Sequence, residues 1–340
     1  MISVLLPYRD AVATLRVAME SVLSDLGPHD ELVAIDDGSR DGSAELAGSL
    51  AAVDPRVVPV ASGGRPGRAA GIAAALARGL VVSRGELVAR MDGDDVSLPG
   101  RFAAEQALLE SDTTLGAVGV QVEAFPAPGL GMQRYVAWQS SLISRADHAR
   151  AIFCESPLCH PSTMMRRAAL LAVGGYRDDT WAEDYDLWLR LDAAGYGLAK
   201  VPRVLFRWRM GSASLTWTDP RYSPARLLET RAAHLAHRLR LLDRPFAIWG
   251  AGQTGRRLAR ALEAHELRPL AFVDIDPRKI GRTARGVPIT TAAEGIARAS
   301  ARDAEILLVV AVGEAGARDV VRGRLAAAGL VEGSAYVCAA

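Results

Sequence analysis

The chain has 340 residues, half of them hydrophobic, with 40 Lys+Arg against 39 Asp+Glu and a net charge of +1. That length suits two domains of roughly 100–200 residues each. The charge balance gives no global reason to expect a nucleic-acid partner, so anion binding must come from local sites.

"ISVLLP" reads as a first strand, and Val12, Leu15, Met19, Val22, Leu23 and Leu26 then fall at helical spacing. "ELVAID" is a second strand, followed by the turn "DGSRDGS" and the helical "AELAGSLAAV". "RVVPV" is a short third strand. The glycine-rich "SGGRPGRAAG" leads into an Ala-rich helix and then the strand "GELVARMD". This βαβα rhythm predicts an α/β domain with a mostly parallel sheet and helices on both faces. Ligands of such sheets sit beyond the C-terminal strand ends. Asp10, Asp36-Asp37 and Asp92-Gly93-Asp94 are therefore expected to line one crevice.

The middle of the chain is less regular. "AVGVQVEAF" reads as a strand, and "HPSTMMRRAALLAVGGY" as a strand or turn leading to a helix that stops at Gly174-Gly175. "AEDYDLWLRLDAAGYGL" is helical, with Leu187, Leu191 and Ala194 on one stripe. Residues 216–243 read as a helical connector in which Leu228, Leu235, Leu239 and Leu242 alternate with Arg226, Arg231, Arg238 and Arg240. It is either a packed connector or a basic face for an anionic leaflet. From residue 244 a new unit begins: the strand "FAIW", a glycine-rich turn, a helix, and a strand ending in Asp274.

Cys154, Cys159 and Cys338 are too few for a disulfide framework and lack metal-site spacing, which fits reduced thiols in a cytoplasmic setting. "MISVLLPYRD" has no basic region ahead of its short apolar run and does not read as a signal peptide. No segment approaches the ~18 apolar residues of a membrane span. Any membrane association is expected to be peripheral, at the inner face.

Three carboxylates within "DGDD" are costly unless a cation or hydrogen-bond donors neutralise them. Mg²⁺ and Mn²⁺ take oxygen ligands, often one or two carboxylates plus substrate phosphates. A metal–diphosphate site and a helix cap leading into "SLPGRF" both account for the cluster on spacing alone. "IDDGSRDGS" is similarly open between turn chemistry and a carboxylate that accepts hydrogen bonds from a ligand. Glu183-Asp184 could be an acidic first turn facing a helix dipole.

The ordered series "SVLLPYRD", "LVAIDDGSRDGS", "GIAAALARGLVVSRGELVARMDGDDVSLPGRF", "HPSTMMRRAALLAVGGY" and "AEDYDLWLRL" closely resembles the family 2 glycosyltransferases of the GT-A fold, over about residues 2–214. The resemblance implies a GT-A domain over 1–215. It implies transfer of a sugar from a nucleotide-diphosphate donor, a UDP-sugar, to a glycan or lipid-linked acceptor in surface polysaccharide assembly. A Mn²⁺ or Mg²⁺ cofactor and inversion at the anomeric centre come with it. Pro7, Tyr8 and Asp10 then border the nucleotide, Asp37 meets the base, Asp94 is the direct metal ligand, and Asp92 lies nearer the ribose and joins Asp94 at the metal. Asp184 matches the general base. His160, Glu183 and Arg190 fall in blocks that border the acceptor or diphosphate. Arg65 and Arg68 could hold phosphate or be solvated. The sequence departs from the family pattern at Arg9, at Ala77, and in lacking a His near Met210.

In the last unit, Gly250, Gly252 and Gly255 form a G-x-G-x-x-G between a strand and a helix, with Asp274 about 20 residues on. Residues 244–340 thus read as a smaller Rossmann-like domain. It resembles small domains that begin some sugar-modifying enzymes and sensors. It either binds a nucleotide or nucleotide-sugar, or binds nothing and only packs or dimerises. Other functions stay in view: a non-catalytic or regulatory nucleotide-sugar-binding protein, a sugar nucleotidyltransferase, and a nicotinamide oxidoreductase run from this last domain.

Overall fold

The computed structural model describes residues 1–64, 67–177, 181–211, 214–301, 305–314 and 316–340; Arg65 lies outside these residues. The described chain divides into two compact units. The first takes residues 1–148 and 157–219, and the second takes residues 149–156 and 220–340.

The first unit is built on one eight-stranded sheet. Its strands are β1 (Ile2–Tyr8), β2 (Glu31–Asp36), β3 (Val57–Ala61), β4 (Leu87–Arg90), β5 (Val96–Ser97), β6 (Leu115–Phe125), β7 (Thr163–Arg166) and β8 (Gly197–Arg209). Their order across the sheet is β3-β2-β1-β4-β7-β6-β8-β5. The β3-β2-β1-β4 half is parallel, and β7 runs antiparallel between β4 and β6. β1 and β2 read as unbroken apolar runs because helices cover both faces of a parallel sheet; every residue of β1 is buried. Helix Val12–Leu23 buries Leu15, Ala18, Met19 and Val22 against this sheet, following the 3.6-residue period. Ala194 differs from expectation: helix Glu183–Ala193 ends one residue earlier and leaves it exposed, while Leu187 and Leu191 are fully buried.

The C-terminal end of β4 rests on a buried cation. Arg101 begins helix Arg101–Ser111 and is completely buried between the Phe102 and Phe206 rings. Its Nη2 donates to the Arg90 carbonyl at 2.8 Å and its Nε to Glu105 Oε2 at 3.2 Å. Burial pushes the Glu105 carboxyl up to about 8.

The second unit carries a six-stranded sheet: β9 (Phe246–Trp249), β10 (Phe272–Asp274), β11 (Thr283–Ala284), β12 (Val287–Thr291), β13 (Leu307–Val310) and β14 (Tyr336–Cys338). Their order is β11-β12-β10-β9-β13-β14, parallel except for the β11 edge. The order reverses at β9, which is where a doubly wound sheet opens a ligand crevice. The segment expected to connect the domains is helix Pro224–Leu242, capped by Ser223. It is counted with this second unit, as is the stretch of residues 149–156, on which Arg238 stacks over the Phe153 ring. The three cysteines are free thiols and buried.

Candidate active site

The first three strand-end loops are stitched together by carboxylates. Asp10 adopts φ +47°, and its Oδ1 accepts from the Arg40 amide at 2.7 Å while its own amide donates to Ser39 Oγ. Asp37, one residue past β2, is buried and organises the glycine-rich loop. Its Oδ1 accepts from Ser62 Oγ and the Ala70 amide, both at 2.7 Å, and its Oδ2 from the Gly71 amide at 3.0 Å. Pro7 and Tyr8 are buried in β1, and burial raises the Tyr8 hydroxyl well above its ordinary value. Arg68 is exposed on the loop held by Asp37.

Gly93 lies against the end of β1. A Cβ there would stand 3.0 Å from Tyr8 Cβ, and its carbonyl accepts from Thr14 Oγ1 at 3.0 Å. Glycine thus lets "DGDD" close onto the first strand–helix turn. The cluster is not a helix cap. The next helix starts six residues later at Arg101, and Asp25 supplies its cap by accepting from the Gly100 and Phe102 amides.

Two arginines brace the acids. Arg90 is buried and pairs through Nη2 with Asp92 Oδ1 at 2.7 Å. Arg209, at the end of β8, donates its Nε to the Asp94 carbonyl and its amide to Asp95 Oδ1, both at 2.6 Å, and stacks on Phe125. Asp95 is buried, and its Oδ2 has no partner. Burial, then the Asp92 charge, pushes the Asp94 carboxyl up to about 6. The same two causes, with Asp94 added, drive Asp95 well above its ordinary range. Carboxylates raised by burial and then by mutual repulsion, with one buried oxygen left unpaired, fit a divalent cation among hard oxygen donors. Among the described residues, no three His, Cys, Asp or Glu side chains form a ready metal cage.

The acidic helix start faces the same cluster. Glu183 is buried, and its Oε1 lies 3.6 Å from His160 Nδ1. His160 Nε2 stands 3.4 Å from the Tyr176 hydroxyl, and its ring meets Trp188 edge-on. Burial holds the imidazole below its ordinary pKa, and the Arg90, Glu183 and Asp92 charges all act on it. Arg90 in turn acts on Asp92, Glu183 and Asp184, so the strand end and the helix start share one electrostatic centre. Asp184 is partly buried and accepts from the Tyr185 amide at 2.7 Å. Burial, then Glu183, pushes its carboxyl up to about 7.

Arg190 is directed inward. Its Nε donates to Asp186 Oδ2 at 2.7 Å and its Nη1 to the Val173 carbonyl at 2.6 Å, which ties the helix to the Gly174-Gly175 turn. Sequence reasoning did not single out Arg90, Arg209 or Tyr176. The signal for Arg90 was a cation closing an otherwise apolar strand, "ELVARMD".

In the second unit the glycines take three separate parts. Gly250, at φ +120°, would bring a Cβ within 2.4 Å of the Ala311 carbonyl, and one at Gly255 would lie 1.9 Å from the Gly250 carbonyl. Gly252 faces open space. Asp274 does not present a free acid to the loop. Its Oδ2 accepts from the Ala251 amide and Lys279 Nζ, and its Oδ1 from the Ile275 and Asp276 amides.

A mixed, mostly parallel sheet that gathers acids at its strand ends has the GT-A architecture of glycosyltransferases. The chain belongs to glycosyl transferase family 2, whose model matches residues 3–174, and it is an enzyme of that transferase class. It is 29% identical over 214 residues to the putative glycosyltransferase EpsE of Bacillus subtilis, covering 62% of this chain and 73% of EpsE. It is 29% identical over 137 residues to the UDP-Gal:alpha-D-GlcNAc-diphosphoundecaprenol beta-1,3-galactosyltransferase of Escherichia coli. That match covers 40% of this chain and 48% of the relative. The fold matches the mannosyltransferase PcManGT of Pyrobaculum calidifontis, solved with GDP-Man and Mn²⁺, at a TM-score of 0.53 and 19% identity. The match covers 70% of this chain and 64% of that one. No helix among the described residues is long and apolar enough to cross a membrane.

Proposed function

We propose that the first unit transfers a sugar from a UDP-sugar to a glycan or lipid-linked acceptor, with a divalent metal and with inversion at the anomeric carbon. The observation that carries this reading is the shared electrostatic centre of Asp92, Arg90, Glu183 and Asp184. A metal ligand set and a general base both belong in such a centre. The named activities of the Escherichia coli galactosyltransferase and of PcManGT favour a nucleotide-sugar donor, a lipid-diphosphate acceptor and Mn²⁺. Surface polysaccharide assembly is the role that fits such an acceptor.

Asp94 and Asp92 would hold the metal, with the donor phosphates completing its oxygen shell. The ion, when bound, stabilises charge on the departing diphosphate. Asp37 keeps the glycine-rich loop closed beside the nucleotide, and Asp10 ties the first loop to the second. Asp184 takes the proton of the attacking hydroxyl. A carboxyl raised to about 7 holds that proton better than an ordinary aspartate while remaining largely ionised at slightly alkaline pH. Glu183 and His160 hold the helix start toward Arg90, and Asp95 with Arg209 fixes the backbone of the metal loop. The test is transfer from UDP-sugars with Mn²⁺ present. An Asp94→Ala protein as active as wild type removes the metal assignment.

A further inference from the structure

The second unit contains a pocket of about 480 Å³ that the transferase chemistry does not use. It is lined by Gly252 and by five cations, Arg256, Arg257, Arg260, Lys279 and Arg285, and among the described residues no acidic side chain lines it. Lys279 is paired with Asp274 and Arg285 with Glu263. Arg256 donates its Nε to the Ala251 carbonyl, which leaves its charge unbalanced. Arg257 and Arg260 are exposed and make no hydrogen bond or ion pair with a described residue.

Arg256 and Arg257 on helix Gln253–Glu263 have no acidic partner among the described residues, whereas Arg260 lies in the last turn, where the macrodipole favours a cation and Glu263 interacts with it. Arg256, the fourth residue, closes the first turn, where the macrodipole disfavours a cation. Arg256 and Arg260, four apart, repel along one face. An anion in the pocket would remove all of these penalties together. The wall from Gly252 to Arg260 is long: eight residues at 1.5 Å rise give about 12 Å, more than one phosphate fills. Asp274 is already saturated by four donors, so it has no free oxygen with which to take a ribose diol in the manner of a dinucleotide site.

We propose that this pocket binds an extended phosphate anion, a diphosphate either free or carried by a nucleotide, through the open face at Gly252 and the arginines at 257 and 260. The binding is electrostatic and weakens with salt. Recognition does not run through Asp274.

The experiment titrates the full-length protein by calorimetry, in chelator, with inorganic pyrophosphate, UDP, orthophosphate and NAD. Two variants are compared with wild type. In Arg257→Ala/Arg260→Ala, two exposed residues change to a better helix former, so the variant should melt no lower than wild type. Gly252→Asp keeps an ordinary φ of −81° and puts a carboxylate at the helix cap, where a Cβ meets nothing within 4 Å. It should be at least as stable as wild type while repelling an anion. The expected result is saturable pyrophosphate binding to wild type, at least tenfold weaker in both variants, and weaker still for orthophosphate. UDP binding that is tighter than pyrophosphate and is lost in both variants would place the diphosphate on a nucleotide, and equal variant-sensitive binding would make the diphosphate sufficient. Pyrophosphate affinity unchanged in both folded variants overturns the proposal, as does NAD binding more tightly than pyrophosphate. Because the variants lie outside the first unit, a failure here leaves the transferase reading intact.

Discussion

Replacing Asp184 by Asn should make the protein more stable and far less active, and the two effects have separate signatures. Burial and the neighbouring Glu183 push the Asp184 carboxyl from 3.8 up to about 7. A folded-state pKa above the unfolded one means that the folded chain holds the proton more tightly. This carboxyl therefore costs nothing at pH values below the unfolded pKa. Its cost grows as pH rises from about 4 to about 7 and is complete above that. The shift at 1.36 kcal/mol per unit sets a ceiling of about 4 kcal/mol. Water reaches the partly buried group and Glu183 titrates with it, so about 2 kcal/mol is the working figure. Asn keeps the acceptor for the Tyr185 amide and removes the charge. Thermal melts of both proteins from pH 4 to 8, in chelator, measure the difference. The curves should coincide at pH 4, and the variant should melt roughly 4–8 °C higher at pH 8 for a domain of this size. Loss of a general base should lower transfer by about 10²- to 10⁴-fold. Wild-type kcat/KM should fall as pH drops below about 7, because the base must be unprotonated to act. An Asn variant that is no more stable at pH 8, or that transfers at the wild-type rate, would refute the reasoning.

Asp94→Ala should lose Mn²⁺-stimulated transfer by about 10²-fold or more. In chelator it should melt no lower than wild type, since it relieves repulsion with Asp92 and Asp95; calorimetry with and without Mn²⁺ reads both. Arg90→Met removes one member of a pair whose other member, Asp92, is a third exposed. Urea melts should show a loss of about 2–4 kcal/mol, at or below the usual range for breaking a buried pair. Asp37→Asn cannot serve all three donors with an amide in place of one oxygen. Donor KM should rise about tenfold, consistent with one lost hydrogen bond of about 1.4 kcal/mol, with a smaller change in kcat.

The sequence carried the strand-and-helix rhythm because β1 and β2 are buried on both faces and the first helix follows its 3.6-residue period. It also carried the strand-end acids, although spacing alone left cap and turn chemistry open and only their ordered series pointed to one site. What it could not carry was the set of long-range partners. The pairing of Asp95 with Arg209 joins residues 114 positions apart. The reach of Arg90 toward Glu183 depends on β7 being inserted antiparallel beside β4, which no local pattern announces. Asp274 matched its motif in position, yet Lys279 and three amides occupy it, a fact fixed by the turn after β10. Arg190, expected near the acceptor or diphosphate from the family resemblance, makes contacts with Asp186 and Val173 that no local pattern announces.

The central claim is a metal-dependent single displacement at the Asp94–Asp184 centre. The most direct measurement follows UDP release and product anomeric configuration by NMR, with a panel of UDP-sugars, a lipid-diphosphate sugar acceptor and Mn²⁺. The account predicts Mn²⁺-dependent UDP release, an inverted anomeric centre in the product, and loss of both in Asp94→Ala and Asp184→Asn. Equal turnover in chelator, or a product that retains the donor's configuration, would contradict it.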